Sequence, residues 1–301
     1  MEIRETTITT SFGKINLIHF PSKCSYGDNN YTILCIHGSY SDARIFKYIA
    51  TRLSENGFSV YSMDLPGHGK SDGERGDLNF DACLRSINEI IRKIRGNSNV
   101  FILAHSIGCT FALWYAHIFE ECVNGLILMA PYIRVNSVKK RSAAEPNLLY
   151  FLYLIFRRLL TPKTRVNITK VLPQLINIGG EELSQMLQDK ELNFHYSYRY
   201  IVDIIALRNS KVKELADIND DISILLLHGK NDLIFFSAVS EAFFRLLKSR
   251  NKTIKLFDCN HWFYNALSYN HTDYLLSKYS EDSRKEMIKT IKEWIIKNKS
   301  R

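Results

Sequence analysis

Ser106 stands in Ala104-His105-Ser106-Ile107-Gly108, between the apolar run Val100-Phe101-Ile102-Leu103 and the helical stretch that opens Cys109-Thr110-Phe111-Ala112. A strand that turns this sharply into a helix lifts a serine hydroxyl above the strand end. The crowded turn needs small side chains two positions either side, here Ala104 and Gly108. A serine hydroxyl is a weak nucleophile, so acyl transfer needs a base to take its proton and a carboxylate to orient that base. Both residue types follow further along. The apolar run 222–227 closes on His228-Gly229-Lys230-Asn231-Asp232, and the run 253–257 on Asp258-Cys259-Asn260-His261. Upstream, Tyr31-Thr32-Ile33-Leu34-Cys35-Ile36 ends in His37-Gly38-Ser39-Tyr40, where the glycine lets the backbone aim an amide at the serine. The expected catalytic set is Ser106 as nucleophile, His261 as base and Asp232 as orienting carboxylate. The N–H groups of Ser39 and Ile107 are the expected donors to a tetrahedral oxyanion. Asp232 has a purely structural alternative as a cap for a helix starting near Ser237, and Asp258, three positions before His261, is a rival carboxylate. Asp232 is preferred because it lies at the carboxyl end of a strand, the edge where α/β sheets carry their sites. Among the other histidines, His37 and His228 precede turn glycines, His105 is inside the elbow and His68 lies in a loop. His19, His117, His195 and His271 have no motif around them.

Positioning these residues takes a sheet. Apolar strand-length runs alternate with amphipathic stretches at 80–95, 237–248 and 282–297, and 7–20, with Gly13 at its turn, reads as an opening hairpin. Gly125-Leu126-Ile127-Leu128-Met129-Ala130 is a further strand. The expectation is an α/β fold with a mostly parallel, doubly wound sheet. The 301 residues, 46% of them hydrophobic, suit one catalytic core. That core comprises residues 1–131 and 222–301, with 132–221 inserted as a helical cap or lid, because this interval is too long for a single crossover helix.

The chain resembles the α/β-hydrolase superfamily, and within it the monoacylglycerol lipase and lysophospholipase branch grouped with serine aminopeptidases. The segments that carry the resemblance are Cys35-Ile36-His37-Gly38-Ser39, residues 104–108 and 227–232, His261, and Met63-Asp64-Leu65-Pro66-Gly67-His68-Gly69-Lys70-Ser71-Asp72-Gly73-Glu74-Arg75. The continuation of the last segment into Gly-Glu-Arg is similar to monoglyceride lipases in particular. The resemblance implies the α/β-hydrolase fold, the triad Ser106, Asp232 and His261 in that order, the Ser39 and Ile107 amides, and an acyl-enzyme route to lipid-like esters with no cofactor and no metal. Two departures stand out: Ala104 replaces the usual glycine, and Ser39-Tyr40 replaces a smaller pair, leaving acyl preference open.

The whole chain carries a net charge of +9, yet residues 132–180 hold nine basic residues (among them Arg134, Lys139, Lys140, Arg141, Arg157 and Arg158) against one acidic, Glu145. Nearly all the excess charge therefore sits in the first part of the cap. There it surrounds Leu148-Leu149-Tyr150-Phe151-Leu152-Tyr153-Leu154-Ile155-Phe156, apolar almost all round. One reading is a cap-core helix with arginines on its C-terminal turn. The other is a surface for acyl chains and anionic headgroups, or for an acidic acyl carrier protein. Nucleic acid is not expected, since no stacking aromatics accompany the charge. The aromatic run 194–200 is expected to pack the second half of the cap against the pocket.

Cys24, Cys35, Cys83, Cys109, Cys122 and Cys259 have neither metal-ligand nor disulfide-framework spacing and read as buried free thiols. With no apolar leader and no membrane-length run, the expected location is cytoplasmic, peripheral to a membrane at most. The triad attacks ester and thioester carbonyls alike, so an acyl-thioesterase or acyltransferase using carrier-protein or CoA thioesters stays open. A non-catalytic ligand-binding receptor has no use for all three groups and the turn glycines together.

Overall fold

A strand with apolar residues on both faces has to be covered on both, and the segment Tyr31–Ile36 (β3) is buried along its whole length. The computed structural model describes residues 2–24, 31–77, 79–119, 123–138, 147–170, 184, 187–209, 212–263 and 281–298. Before β3 come β1 (Arg4–Thr9) and β2 (Lys14–Phe20), the expected opening hairpin, which begins earlier than its polar first residues suggest. After it come α1 (Lys47–Glu55), β4 (Ser59–Met63), α2 (Phe80–Arg95), β5 (Asn99–His105), α3 (Ile107–Ile118) and β6 (Gly125–Met129). Next are α4 (Leu148–Leu160), β7 (Arg165–Asn167), β8 (His195–Ser197), α5 (Tyr198–Asn209) and α6 (Val212–Ala216). The chain then returns to the sheet with β9 (Ser223–Gly229), α7 (Ser237–Leu246), β10 (Lys252–Phe257) and α8 (Glu281–Lys297).

Eight strands form one sheet in the order β1-β2-β4-β3-β5-β6-β9-β10. The β1–β2 and β2–β4 pairs are antiparallel, and every pair from β4 to β10 is parallel. Alternation along each strand splits the core in two. In β5, Val100, Ile102 and Ala104 face one apolar layer, while Phe101 and Leu103 face the other. The first layer includes Ile87 of α2, Phe111 of α3 and Phe243 of α7; the second includes Ile49 of α1 and Ile291 of α8. This is the α/β-hydrolase fold. Helix α2 shows how local chemistry sets an element's limits. The Asn79 side chain accepts from the Ala82 N–H at 3.0 Å at its start, and Gly96 ends it at φ 48°.

Between β6 and β9 the chain leaves the sheet, and β7 and β8 pair antiparallel there as a short ribbon. Helix α4 packs on α5 through Leu154, Tyr198 and Val202. Within the interval 132–221, residues 139–146, 171–183, 185–186 and 210–211 lie outside the described residues, Lys139, Lys140, Arg141 and Glu145 with them, as do Cys122 and His271. Of the thiols expected to be buried, Cys35, Cys83, Cys109 and Cys259 are; Cys24, just past the end of β2, is exposed.

Candidate active site

Ser106 joins β5 to α3 at φ 54°, a left-handed conformation that costs a residue with a side chain roughly 1–3 kcal/mol. The surroundings hold it there. Its N–H donates to the Met129 carbonyl (3.0 Å), and its own carbonyl accepts from the N–H groups of Cys109 and Tyr132 (both 3.1 Å). A side chain on Gly108 would run into the Ile36 and His37 carbonyls, the latter at 2.7 Å, and one on Gly38 would come within 2.9 Å of Ser106 Cβ. Both glycines are thus required by close backbone approach. Helix α3 starts at Ile107, two residues before the expected helical stretch, because the turn at Ser106 leads straight into it. The N–H of this first helical residue has no carbonyl one turn earlier to bond.

The Ser39 turn is fixed by its neighbours. His37 Nε2 accepts from the Leu65 N–H (3.0 Å) and Nδ1 donates to the Gly38 carbonyl (2.7 Å), which defines the tautomer. Burial pushes this imidazole down. Leu65 belongs to the loop after β4, which Asp64 organises by accepting from the Ala43 N–H (2.6 Å), the Lys70 N–H (2.9 Å) and Asn16 Nδ2 (2.9 Å). From α5, the buried Tyr200 phenol, its pKa raised by burial, lies beside the Ser39 side chain. Tyr196 packs edge-on against Tyr40, 5.1 Å between ring centres.

Asp232 follows β9 and is buried. Its Oδ1 accepts from the N–H groups of Ile234 (2.8 Å) and Phe235 (2.9 Å), while Oδ2 accepts from His261 Nδ1 at 2.7 Å. Burial alone would push the carboxyl up. Electrostatic attraction to His261 and its Nδ1 hydrogen bond, with His228 beside it, overcome this and hold Asp232 well below the usual carboxylate range. An ionised Oδ2 makes Nδ1 the protonated nitrogen of His261 and leaves Nε2 a bare acceptor. Asp232 does close a local turn, but it is not the cap of α7, whose N-cap residue is Phe236. Asp258 is exposed and accepts from Asn231 Nδ2 (2.8 Å). Among the described residues no hydrogen bond joins Ser106 to His261. The two are linked through His105, whose ring lies 4.6 Å from that of His261 and whose Nε2 is 3.2 Å from the His261 carbonyl oxygen.

Three contacts have no signature in the residue pattern that singled out the triad. His105 and His228 touch His261 and Asp232 from either side, and their only signal was adjacency to Ser106 and to a strand-end glycine. Asp77, just beyond Gly73-Glu74-Arg75, accepts from Ser197 Oγ (2.8 Å) and from Arg199, while the Ser197 N–H donates to the Gly76 carbonyl (2.8 Å). Arg75 reaches the Glu191 carbonyl (2.7 Å) and Glu74 pairs with Lys163 (3.3 Å). The segment after β4 therefore fastens the β7–β8 ribbon and α5 to the sheet.

A mostly parallel eight-stranded sheet with a strained serine after β5, a carboxylate after β9 and a histidine after β10 defines a hydrolase architecture. The chain belongs to the serine aminopeptidase, S33 hydrolase family, whose model matches residues 27–262. It is 24% identical over 266 residues to the monoglyceride lipase homolog of Monkeypox virus, covering 86% of this chain and 87% of that protein. Among solved structures it is similar to a soluble variant of monoglyceride lipase from Saccharomyces cerevisiae (TM-score 0.76, 18% identity, 100% of this chain and 97% of that one). It is also similar to the monoacylglycerol lipase of Paleococcus ferrophilus (TM-score 0.72, 21% identity, 99% and 100%).

Proposed function

We propose that this chain hydrolyses acyl esters through an acyl-enzyme on Ser106, with lipid-like monoacyl esters such as monoacylglycerols or lysophospholipids as substrates. The observation that carries the reading is the 2.7 Å bond from His261 Nδ1 to a buried, ionised Asp232, at the sheet edge that also presents Ser106 at φ 54°. In this mechanism His261 Nε2 takes the Ser106 proton as the hydroxyl attacks the acyl carbonyl, and the N–H groups of Ser39 and Ile107 receive the developing oxyanion. The imidazolium returns its proton to the leaving alcohol, and a water activated the same way releases the acid. Asp232 stays ionised and stabilises the imidazolium.

Residues 132–221 serve as a cap over this site. The names of the viral, yeast and archaeal relatives support a monoacyl substrate, and so does the apolar helix α4, whose Leu148, Leu149, Leu152, Phe156 and Leu159 are exposed. Such a face suits an anionic membrane surface from which a lipid ester is drawn. Of the cap cations, Arg158 pairs with Asp203 (2.9 Å) and Arg157 lies over the Tyr198 ring (4.8 Å), so both are engaged within the cap. Arg134, Arg165 and Lys170 are exposed.

A fluorophosphonate probe is expected to label the folded protein, and Ser106→Ala to abolish both labelling and ester turnover. A folded wild type that resists the probe overturns the catalytic reading. Turnover of p-nitrophenyl esters and monoacylglycerols is expected to vary strongly with acyl length; indifference to length removes the lipid substrate.

A further inference from the structure

Asp232 Oδ2 is shared by two imidazoles. Besides His261 Nδ1 at 2.7 Å, His228 Nε2 approaches it to 3.2 Å. The same Nε2 lies 2.7 Å from the Phe235 carbonyl oxygen. A carbonyl can only accept, so this nitrogen carries the hydrogen, donates it to Phe235 O and turns its positive edge to Asp232 Oδ2, 3.2 Å away. In that tautomer Nδ1 is bare, and the Ser240 hydroxyl, 2.7 Å away, donates to it. His228 and Ser240 are both enclosed, at 0% and 1% exposure. The imidazole comes from the end of β9, the hydroxyl from α7 and the carbonyl from the loop between them, so the ring is gripped on both nitrogens by elements with no contact with substrate in this reading.

We propose that His228, braced by Ser240, is a positioning residue for the reaction at Ser106, an inference that rests on the catalytic reading above. The Ile234 and Phe235 amides anchor Oδ1. The His228 N–H bears on the other oxygen, 3.2 Å away, so both carboxylate oxygens are held and Oδ2 stays on the His261 Nδ1 axis. The imidazole that must receive the Ser106 proton is thereby aimed by a carboxylate that is itself aimed. A displacement of about 1 Å in such a chain costs on the order of 100-fold in rate.

The test compares wild type with His228→Leu, His228→Gln and Ser240→Ala. It reads the rate of fluorophosphonate labelling at Ser106 and the far-downfield proton resonance of the His261 Nδ1–H to Asp232 bond. His228→Leu is expected to slow labelling about 10- to 100-fold and to shift or erase the resonance. His228→Gln, whose amide nitrogen offers two hydrogens near the position of Nε2, is expected to recover most of both. Ser240→Ala is expected to give a severalfold loss with a smaller shift. Should His228→Leu fail to fold, the other two decide. Wild-type labelling and an unmoved resonance in Ser240→Ala, or no recovery in a folded His228→Gln, overturn the inference. A folded His228→Leu that labels as fast as a labelled wild type overturns the inference and leaves the catalytic reading standing, whereas an unlabelled wild type overturns both.

Discussion

His37, His68 and His105 are buried imidazoles around the candidate site, and burial pushes each of them below its ordinary value of 6.5, His68 to about 3. The unfolded chain takes up their protons near 6.5 while the folded chain does not. Their contribution to stability is therefore complete above that pH and is lost as pH falls towards the folded values. For His68, whose folded value lies below the whole window, the cost is about 1.4 kcal/mol per pH unit, or roughly 2 kcal/mol by pH 5. His68→Gln is expected to make the urea-derived unfolding free energy less steep against pH between 6.5 and 5, by about one proton. An unchanged slope would show that His68 is charged in the fold. The same residue-scale view shows what was legible in the sequence. Ser106, Asp232 and His261 stood out because each ends an apolar run. The bonds from His228 and His105 to that group were invisible, because they depend on which strand ends become neighbours and on which nitrogen carries a hydrogen.

At the scale of elements, the limits of α2 were readable to the residue, since Asn79 and Gly96 are local signals. Strand β9 runs on through His228-Gly229, past the expected 222–227, because pairing with β10 continues to Gly229. Helix α7 stops at Leu246, short of the expected 248. Ladders and packing set these ends, and neither is written in nearby residues. The attachment of the β7–β8 ribbon was unreadable for the same reason, its partners Asp77 and Ser197 being 120 positions apart. Asp77 is a buried carboxylate that holds both Ser197 and Arg199, so Asp77→Ala loosens the β7–β8 ribbon from the sheet. Limited proteolysis within 132–221 is expected to accelerate about tenfold, the equivalent of ~1.4 kcal/mol in local opening, with the sheet still protected. Cleavage at the wild-type rate would mean that the other contacts, such as Glu74 with Lys163, suffice.

For the whole molecule, the notable asymmetry is an apolar helix left uncovered on a chain of net charge +9. Among the described residues no helix is long and apolar enough to cross a membrane. Helix α4 nonetheless exposes large apolar side chains along its length, Leu149 at 80% and Leu159 at 71% among them. Binding to phosphatidylserine-containing vesicles is expected to fall severalfold in Leu149→Ser plus Phe156→Ser. Arg165→Glu plus Lys170→Glu is expected to weaken it further at low salt than at high salt, each basic residue contributing ~1 kcal/mol near an anionic surface. Vesicle indifference in the wild type removes the membrane contact, and salt-sensitive capture of an acidic acyl carrier in its place would name the other partner.

The strand order has a consequence in time. Ser106 leaves β5, Asp232 leaves β9 and His261 leaves β10, which lies at the edge of the sheet and joins it through β9. A ribosome therefore finishes the serine long before it makes the imidazole. Under the proposed mechanism, a growing chain that has folded as far as β6 presents its elbow with no imidazole to deprotonate it, so hydrolysis waits on the seating of β10.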